Sequence, residues 1–499
     1  MIRISASVLL CLLAAAGLVV PAPAQVHYHP NGRPWTIQAR SGPDAEVEGW
    51  LYNLGLTGIR VKLIEEEPTH LVVGHVFEGS RAEGKVRVGD HIIGAGGRPF
   101  QTPHQNGYGM KVFGPEGPIA DFAAALERAL DDDDRELRLE LLRDGEKVGA
   151  RLEFARRDRR FSDSFPFDCK KTEEAREKLY AYLVEEQRQD GSWGGPIQDV
   201  FAPLALLGSG KREYLKAVER NARFHGKNTT REGAKGGLVN WRYMSAGIVL
   251  SEWYLASKEN WVLEELQEVY DFLITSQYTD LSQVSEKSRE SHPHAYPKNA
   301  EQKHGGWGHN PGFEGYGPIA MTTGQGALVF ALMDRCGIEV DPERHRAAYA
   351  YLARGTGRNG YLWYADEVAG HQNWADMGRT GASAIAHWMS PFKESRKLAR
   401  LQSSVMGEHP ESFPDTHASP LQGMGFGALG AYPDRKSFKS IMAANRWWFL
   451  LAECADGTFH YQPNRDNSGY PGNSRLVASA VTAFILTLPE GGLEMTAGS

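Results

Sequence analysis

Apolar and polar positions change their period along this chain, and each change marks out a region. Residues 6 to 20 form a nearly unbroken apolar run, shorter than the roughly 20 residues a spanning helix needs. From about residue 49 the period is two. "IRVKLIEE" and "HLVVGHVF" are rich in β-branched residues and alternate as half-buried strands do. Ile119, Phe122, Ala123, Leu126 and Leu130 then share one helical face. Leu137, Leu139 and Leu141 alternate with polar residues, and Asp144-Gly145 supplies the tight turn of a hairpin. After the charged, Ser- and Pro-marked stretch 155–168, strand signals stop and helical periodicity runs on.

Within the helical region a single unit recurs. Tyr182-Leu183 is followed by Gln187 and then Gly191-x-Trp193. Phe272-Leu273 is followed by Gln277 and, after an insertion over 278–304, by Gly305-x-Trp307. Tyr351-Leu352 with Gly360, and Phe449-Leu450 with Gly457-x-Phe459, are degraded copies. Recurrence at tens of residues predicts a repeat architecture. The aromatic and Gln would tie one helix end to the next turn, and Gly would let the chain reverse. Each turn leads into a segment rich in small residues, such as "DVFAPLALLGSG" and "RTGASAIAHWMS"; six of these occur. Small side chains allow close helix approach, so these segments suit an inner ring wrapped by larger amphipathic helices.

The strand order with "GSRAEGKVRVGDHIIGAGG" resembles a bacterial PDZ domain, and the recurring unit resembles the QW repeat of squalene-hopene cyclases and prenyltransferases. Taken whole, the chain resembles secreted bacterial proteins that join a PDZ module to a cyclase-like toroid. The expected fold is therefore multidomain: a bacterial-type PDZ, a β-barrel-like sandwich with a helix, followed by an all-α (α/α)6 toroid. The expected bounds are a signal peptide at 1–24, the PDZ-like domain at 45–157, a linker at 158–170 and the toroid at 171–490. The PDZ resemblance implies that the loop Gly55, Leu56, Thr57, Gly58 and Ile59 receives the terminal carboxylate of a peptide or protein partner, which adds as a strand.

Arg3, the apolar run and Ala22-Pro23-Ala24 read as a cleavable export signal, so a periplasmic or secreted protein without a transmembrane segment is expected. The net charge of −7 is mixed along the chain, which argues against nucleic acid. Beyond the leader stand Cys169, Cys336 and Cys454, an odd set that leaves any disulfide pairing open.

The turns of such a toroid deliver helix N-termini to one mouth, where a ligand would sit. Residues expected there include Asp199, Arg242, Tyr243, Thr322, Thr323 and Arg475. Most of these residue types also serve as caps and turn braces. "YADEVAGHQNWADMGRTG" is densest in ionisable groups and nominates Asp376, Arg379 and His371 as catalytic; Trp307, His309, Trp374 and His417 are nominated to hold ligand. The leading expectation is a binding protein, its PDZ-like module docking a peptide and its cavity holding a glycan or peptide. The alternative is a glycan-active enzyme of lyase or hydrolase type.

Cyclase and prenyltransferase activity is set aside. Asp131 to Asp134 spell the cyclase acid but fall in the PDZ-like region, and Asp334-Arg335-Cys336 falls at the wrong end of its helix. "GFGALG", Gly425 to Gly430, reads as helix packing rather than a nucleotide loop. No cofactor is expected. His292, His294, His304 and His309 show no zinc spacing, so no metal is assigned.

Overall fold

The computed structural model describes residues 51–64, 66–104, 116–367, 376–414, 416, 420–462 and 474–497. The leader, His371, Trp374 and His417 lie outside the described residues.

The alternating segments form one antiparallel sheet. Its strands are β1 (Tyr52–Asn53), β2 (Ile59–Lys62), β3 (Leu71–Val76), β4 (His91–Ala95), β5 (Arg98–Pro99), β6 (Glu136–Arg143) and β7 (Glu146–Glu153). They lie in the order β1-β2-β3-β4-β6-β7, with β5 beside β4. Asp144 and Gly145 both take left-handed backbone angles (φ 51° and 83°), the turn that matches strand twist in a two-residue hairpin. Helix α1 (Pro118–Asp131) buries the five apolar residues of its predicted face and packs on β4 and β6. Asp131 to Asp134, at its end, are solvent-exposed.

Helices fill the rest, alternating between two layers. The first are α2 (Lys170–Glu186), α3 (Gln198–Gly208), α4 (Leu215–Asn228), α5 (Val239–Ser257) and α6 (Trp261–Ser276). Then come α7 (Ala320–Cys336), α8 (Pro342–Gly355), α9 (Met377–Met389), α10 (Ser395–Glu408) and α11 (Pro420–Ala431). The last are α12 (Arg435–Ala444), α13 (Arg446–Ala452) and α14 (Ser474–Thr487). The six small-residue helices close a ring: α3 packs on α5, α5 on α7, α7 on α9, α9 on α11, α11 on α14, and α14 back on α3. The amphipathic helices wrap outside, making an α/α toroid with a small antiparallel sheet ahead of it.

Glycine explains the tightest seam. A Cβ on Gly381 of α9 would lie 2.3 Å from Phe426 O, and one on Gly430 of α11 would lie 2.3 Å from Gly381 O. The glycines of "GFGALG" are thus packing positions. The cysteines Cys169, Cys336 and Cys454 are buried and form no disulfide with one another. No helix among the described residues is long and apolar enough to cross a membrane.

The repeated unit does the same work at each copy. Trp193 Nε1–H donates to Leu183 O (2.8 Å), and Trp307 Nε1–H donates to Leu273 O (2.9 Å). Gln187 Nε2 donates to Gly191 O and Ala217 O; Gln277 Nε2 donates to Gly305 O and Arg344 O. Gly191, Gly305, Gly360 and Gly457 all hold φ between 86° and 90°, a left-handed region that favours glycine. Two residues on, the backbone N–H is received by a side chain of the following inner helix: Trp193 by Asp199, Trp307 by Thr323, Leu362 by Thr380 and Phe459 by Ser479. These bonds fix where each inner helix begins.

The segment expected to be a linker is packed. Phe161 and Phe165 are buried, and Phe165 lies against Phe449 of α13. Lys171 at the start of α2 forms a buried ion pair with Glu453 (2.5 Å).

Candidate functional site

Of the two sites the sequence nominates, the loop after β1 is closed. Gly55–Thr57 form a single 3-10 turn whose residues are all buried. A Cβ on Gly55 would lie 2.6 Å from Leu450 O, so the loop rests directly on α13. Three of the loop's N–H groups are spent internally: Thr57 donates to Leu54 O, Gly58 to Gly55 O, and Ile59 to Thr57 Oγ1. Asn53 exchanges hydrogen bonds with Gln462 and donates to Glu453 O. Glu127 of α1 receives Arg446 in a two-pronged pair (2.6 and 3.0 Å). The space left beside the loop is about 50 Å³, far below the ~300 Å³ at which ligand clefts begin.

The mouth of the ring is open. A cavity of about 330 Å³ lies where inner helices begin. Its wall takes Ile197 from the start of α3, Leu238 and Trp241 from α5, Met321 from α7, Asp376 and Arg379 from α9, and Gln422 from α11. Five helix N-termini therefore converge on one volume, and their macrodipoles favour an anion or an oxygen-rich ligand there. Gly378 and Gly423 let α9 and α11 meet at this end, since a Cβ on Gly378 would lie 2.5 Å from Gly423 Cα. Leu238 is exposed and holds φ 57°, an unfavourable state for a bulky side chain. Such strain is often stored at functional sites.

A row of hydrogen bonds runs along this wall. Trp241 Nε1–H donates to His309 Nδ1 (2.8 Å), His309 Nε2 meets Tyr316 Oη (2.5 Å), and Tyr316 Oη meets Tyr364 Oη (2.8 Å). Indole can only donate, so His309 Nδ1 accepts, and the proton of the neutral imidazole sits on Nε2. The first two bonds thus run from Trp241 to His309 and from His309 to Tyr316, whose oxygen also meets that of Tyr364. Burial pushes the His309 imidazole below its usual value, with Glu314 pulling weakly the other way. Burial first, and then the bond to Tyr316, raises the Tyr364 phenol above its usual value.

The backbone around the row is bolted down. Asn240 donates to Gly308 O and Asn310 O, and Asn240 N–H donates to His309 O. Ala320 N–H donates to Tyr364 O, which ties that residue to the start of α7. Beside Tyr364, Asp376 caps α9 by accepting the Arg379 N–H at 2.9 Å. The Arg379 guanidinium lies 3.5 Å from Asp376 Oδ2 and 5.5 Å from the Tyr364 ring centre.

The structure brings His309, Asp376 and Arg379 together at this cavity. Trp307, nominated for ligand, is a core anchor instead: it is fully buried, its indole N–H spent on Leu273 O. Asp199, Thr322 and Thr323 brace turns; burial raises the Asp199 carboxyl to about 6. Tyr243 stacks on Phe272 and bonds Thr230 O, Arg242 bonds Lys235 O, and buried Arg475 pairs with Asp456. Sequence reasoning does not nominate Trp241, Tyr316 or Tyr364. One signal exists for Tyr364: two residues beyond the ring-or-leucine position of each repeat stand Gly195, His309, Tyr364 and Tyr461.

The leading expectation is therefore corrected. The peptide-docking loop has three of its donors spent within the turn and rests on α13. Solved structures similar to the chain include glycoside hydrolases, a polysaccharide lyase and a cellobiose 2-epimerase. A family 88 glycosyl hydrolase from Bacteroides vulgatus has 12% identity and TM-score 0.44, covering 64% of this chain and 98% of its own. The family 76 α-mannanase from Bacteroides thetaiotaomicron has 10% identity and TM-score 0.45, covering 63% and 94%. The polysaccharide lyase has 12% identity and TM-score 0.42, covering 64% and 96%. Curated proteins give no match. Residues 173–496 match the family described as a domain of unknown function (DUF6288), and the chain belongs to that family.

Proposed function

We propose that this protein is a glycan-active enzyme that cleaves an acidic polysaccharide at the mouth of its helical ring. The observation that carries the reading is the hydrogen-bonded row from Trp241 to Tyr364, ending beside Asp376 and Arg379 on the wall of a cavity. Tyr364, at the cavity end of the row, is the phenol placed to give its proton to the departing glycosidic oxygen. The raised phenol keeps that proton in place at neutral pH. His309, held neutral, steadies Tyr316 without adding a charge. Arg379 and the five helix N-termini supply the positive field that a sugar carboxylate needs. Asp376, locked to Arg379, is the carboxylate placed to take a proton or to direct water. Trp241 offers an apolar face for a sugar ring. The leader at 1–24 is read as export to where such polymers occur, and the sheet as a PDZ-like fold turned inward to brace α13.

The test is incubation with a panel of neutral and acidic polysaccharides. New reducing ends report cleavage, and the ultraviolet absorbance of an unsaturated product separates elimination from hydrolysis. Tyr364→Phe is expected to lower kcat by about 10²- to 10⁴-fold, the range for one general acid, with an unfolding temperature near that of the parent. Equal activity in that variant would remove Tyr364 from the chemistry, and activity confined to neutral polymers would remove the acidic substrate.

A further inference from the structure

A second group of chemically capable side chains lies in the sheet, apart from the cavity. Glu67 to His70 form a turn closed by His70 N–H to Glu67 O (2.9 Å) and pinned by His104 N–H to Pro68 O (3.0 Å). The turn feeds straight into β3. There Leu71 pairs with Ile92 and Val72 with His91 on β4, so His70 falls diagonal to His91 on the same face. Diagonal neighbours are within reach of long side chains.

Three ligand atoms converge at this point. His70 Nδ1 lies 3.2 Å from His91 Nδ1, and Glu67 Oε2 lies 2.6 Å from His91 Nδ1 and 3.2 Å from His70 Nδ1. A tetrahedral zinc ion with bonds of about 2.0–2.1 Å sets its ligands roughly 3.3 Å apart. Two edges of the triangle already match to about 0.1 Å, and the third, Glu67 Oε2 to His91 Nδ1, needs to open by about 0.7 Å. The two imidazoles stand at 75° to one another, edge-on rather than stacked, as two rings sharing one ion do. Glu67 Oε2 is shielded from solvent and has no hydrogen bond among the described residues. Yet the three side chains keep 22% to 38% exposure, which leaves a fourth position on the solvent side.

We propose that Glu67, His70 and His91 form a three-ligand site for a divalent transition metal, zinc in the first place, with water as fourth ligand. Two imidazoles and one carboxylate are a donor set that zinc accepts. The ion would lock the turn before β3 to the first residue of β4. It is independent of the histidines of the helical region, where His309 is engaged by Trp241 and Tyr316.

The experiment is zinc uptake by the chelator-stripped full-length protein, measured by elemental analysis after dialysis and by competition with a chromophoric chelator. One equivalent is expected, with a rise in unfolding temperature. His70→Gln/His91→Gln should lose that equivalent, and Glu67→Gln should weaken it by about 10- to 100-fold, at least the loss seen when only a ligand's supporting partner is removed. Should the double variant fail to fold, the single Glu67→Gln variant carries the test. His292→Gln/His294→Gln should keep the equivalent. Three outcomes overturn the proposal: no retained zinc in the parent, parental affinity after Glu67→Gln or in a folded double variant, or loss in the His292/His294 control.

Discussion

The loop at Gly55–Ile59 and the mouth of the helical ring are made from similar pieces, glycine-bearing turns that gather backbone N–H groups, and they end in opposite conditions. At the loop, Thr57, Gly58 and Ile59 each donate within the turn, and α13 covers what remains. At the mouth, the first turns of five helices face a cavity of about 330 Å³. A binding motif is therefore not yet a site. What separates the two is where each donor's hydrogen bond goes and whether a volume is left beside it.

Several measurements can break or sharpen that contrast. The largest effect is expected where the sheet joins the helices. Lys171→Met should lower stability by about 3–5 kcal/mol, because Glu453 is then left buried without its counter-charge. Lys171→Met/Glu453→Met should recover much of the loss in denaturant unfolding. A small loss in the single variant would mean that water reaches the pair and that the junction is looser than described.

Next is the loop itself. Gly55→Ala sets a side chain at φ 62° and 2.6 Å from Leu450 O, which should cost about 2 kcal/mol or more from strain of this kind. The same change at Gly97, also left-handed but with open space around it, should cost less. C-terminal peptides should leave the unfolding temperature of the parent protein unchanged, and a clear peptide shift would reopen the loop as a site.

At the mouth the sign reverses. Leu238→Gly relieves a left-handed leucine and should be stabilising by about 1 kcal/mol, the penalty such a residue carries. It should weaken binding of a polysaccharide substrate at the same time. Loss of stability with unchanged binding would show that Leu238 serves packing and not the ligand.

A pH dependence is expected within α9, the helix that Asp376 caps. Burial depresses the His387 imidazole to about 3. A depressed folded value gives stability that is present above the ordinary value of 6.5 and lost as pH falls toward 3. His387→Leu should therefore lose less stability than the parent on acidification below pH 6.5, measured as unfolding temperature against pH. Parallel curves would mean that His387 is protonated without cost. Asp199, raised to about 6, and Glu252, raised to about 7, work the other way, their contributions declining as pH rises through those values.

Much of the architecture was legible in particular residues. The leucines of β6, the Asp144-Gly145 turn, the apolar face of α1 and the Gly-x-aromatic units all report local geometry, and local geometry is written in short spacings. The site was only half legible: Asp376 and Arg379 stood out by charge density, while Trp241 and Tyr316 carried no signal. Trp241 is an ordinary position in a helix start and Tyr316 lies in the glycine-rich stretch that follows Trp307. They reach His309 only because Asn240 bolts that turn to α5.

By itself the sequence determined the periods, the turns and the small-residue seams, because each depends on backbone angle or side-chain size within a few positions. Tertiary structure alone decided the rest. It closed the loop Gly55–Ile59 by setting Leu450 against Gly55, and it lined up Trp241, His309, Tyr316 and Tyr364. It also brought His70 and His91 to one point through the register of β3 on β4. Each of these depends on which donors meet which acceptors across long stretches of chain, and that pairing exists only once the ring and the sheet have closed.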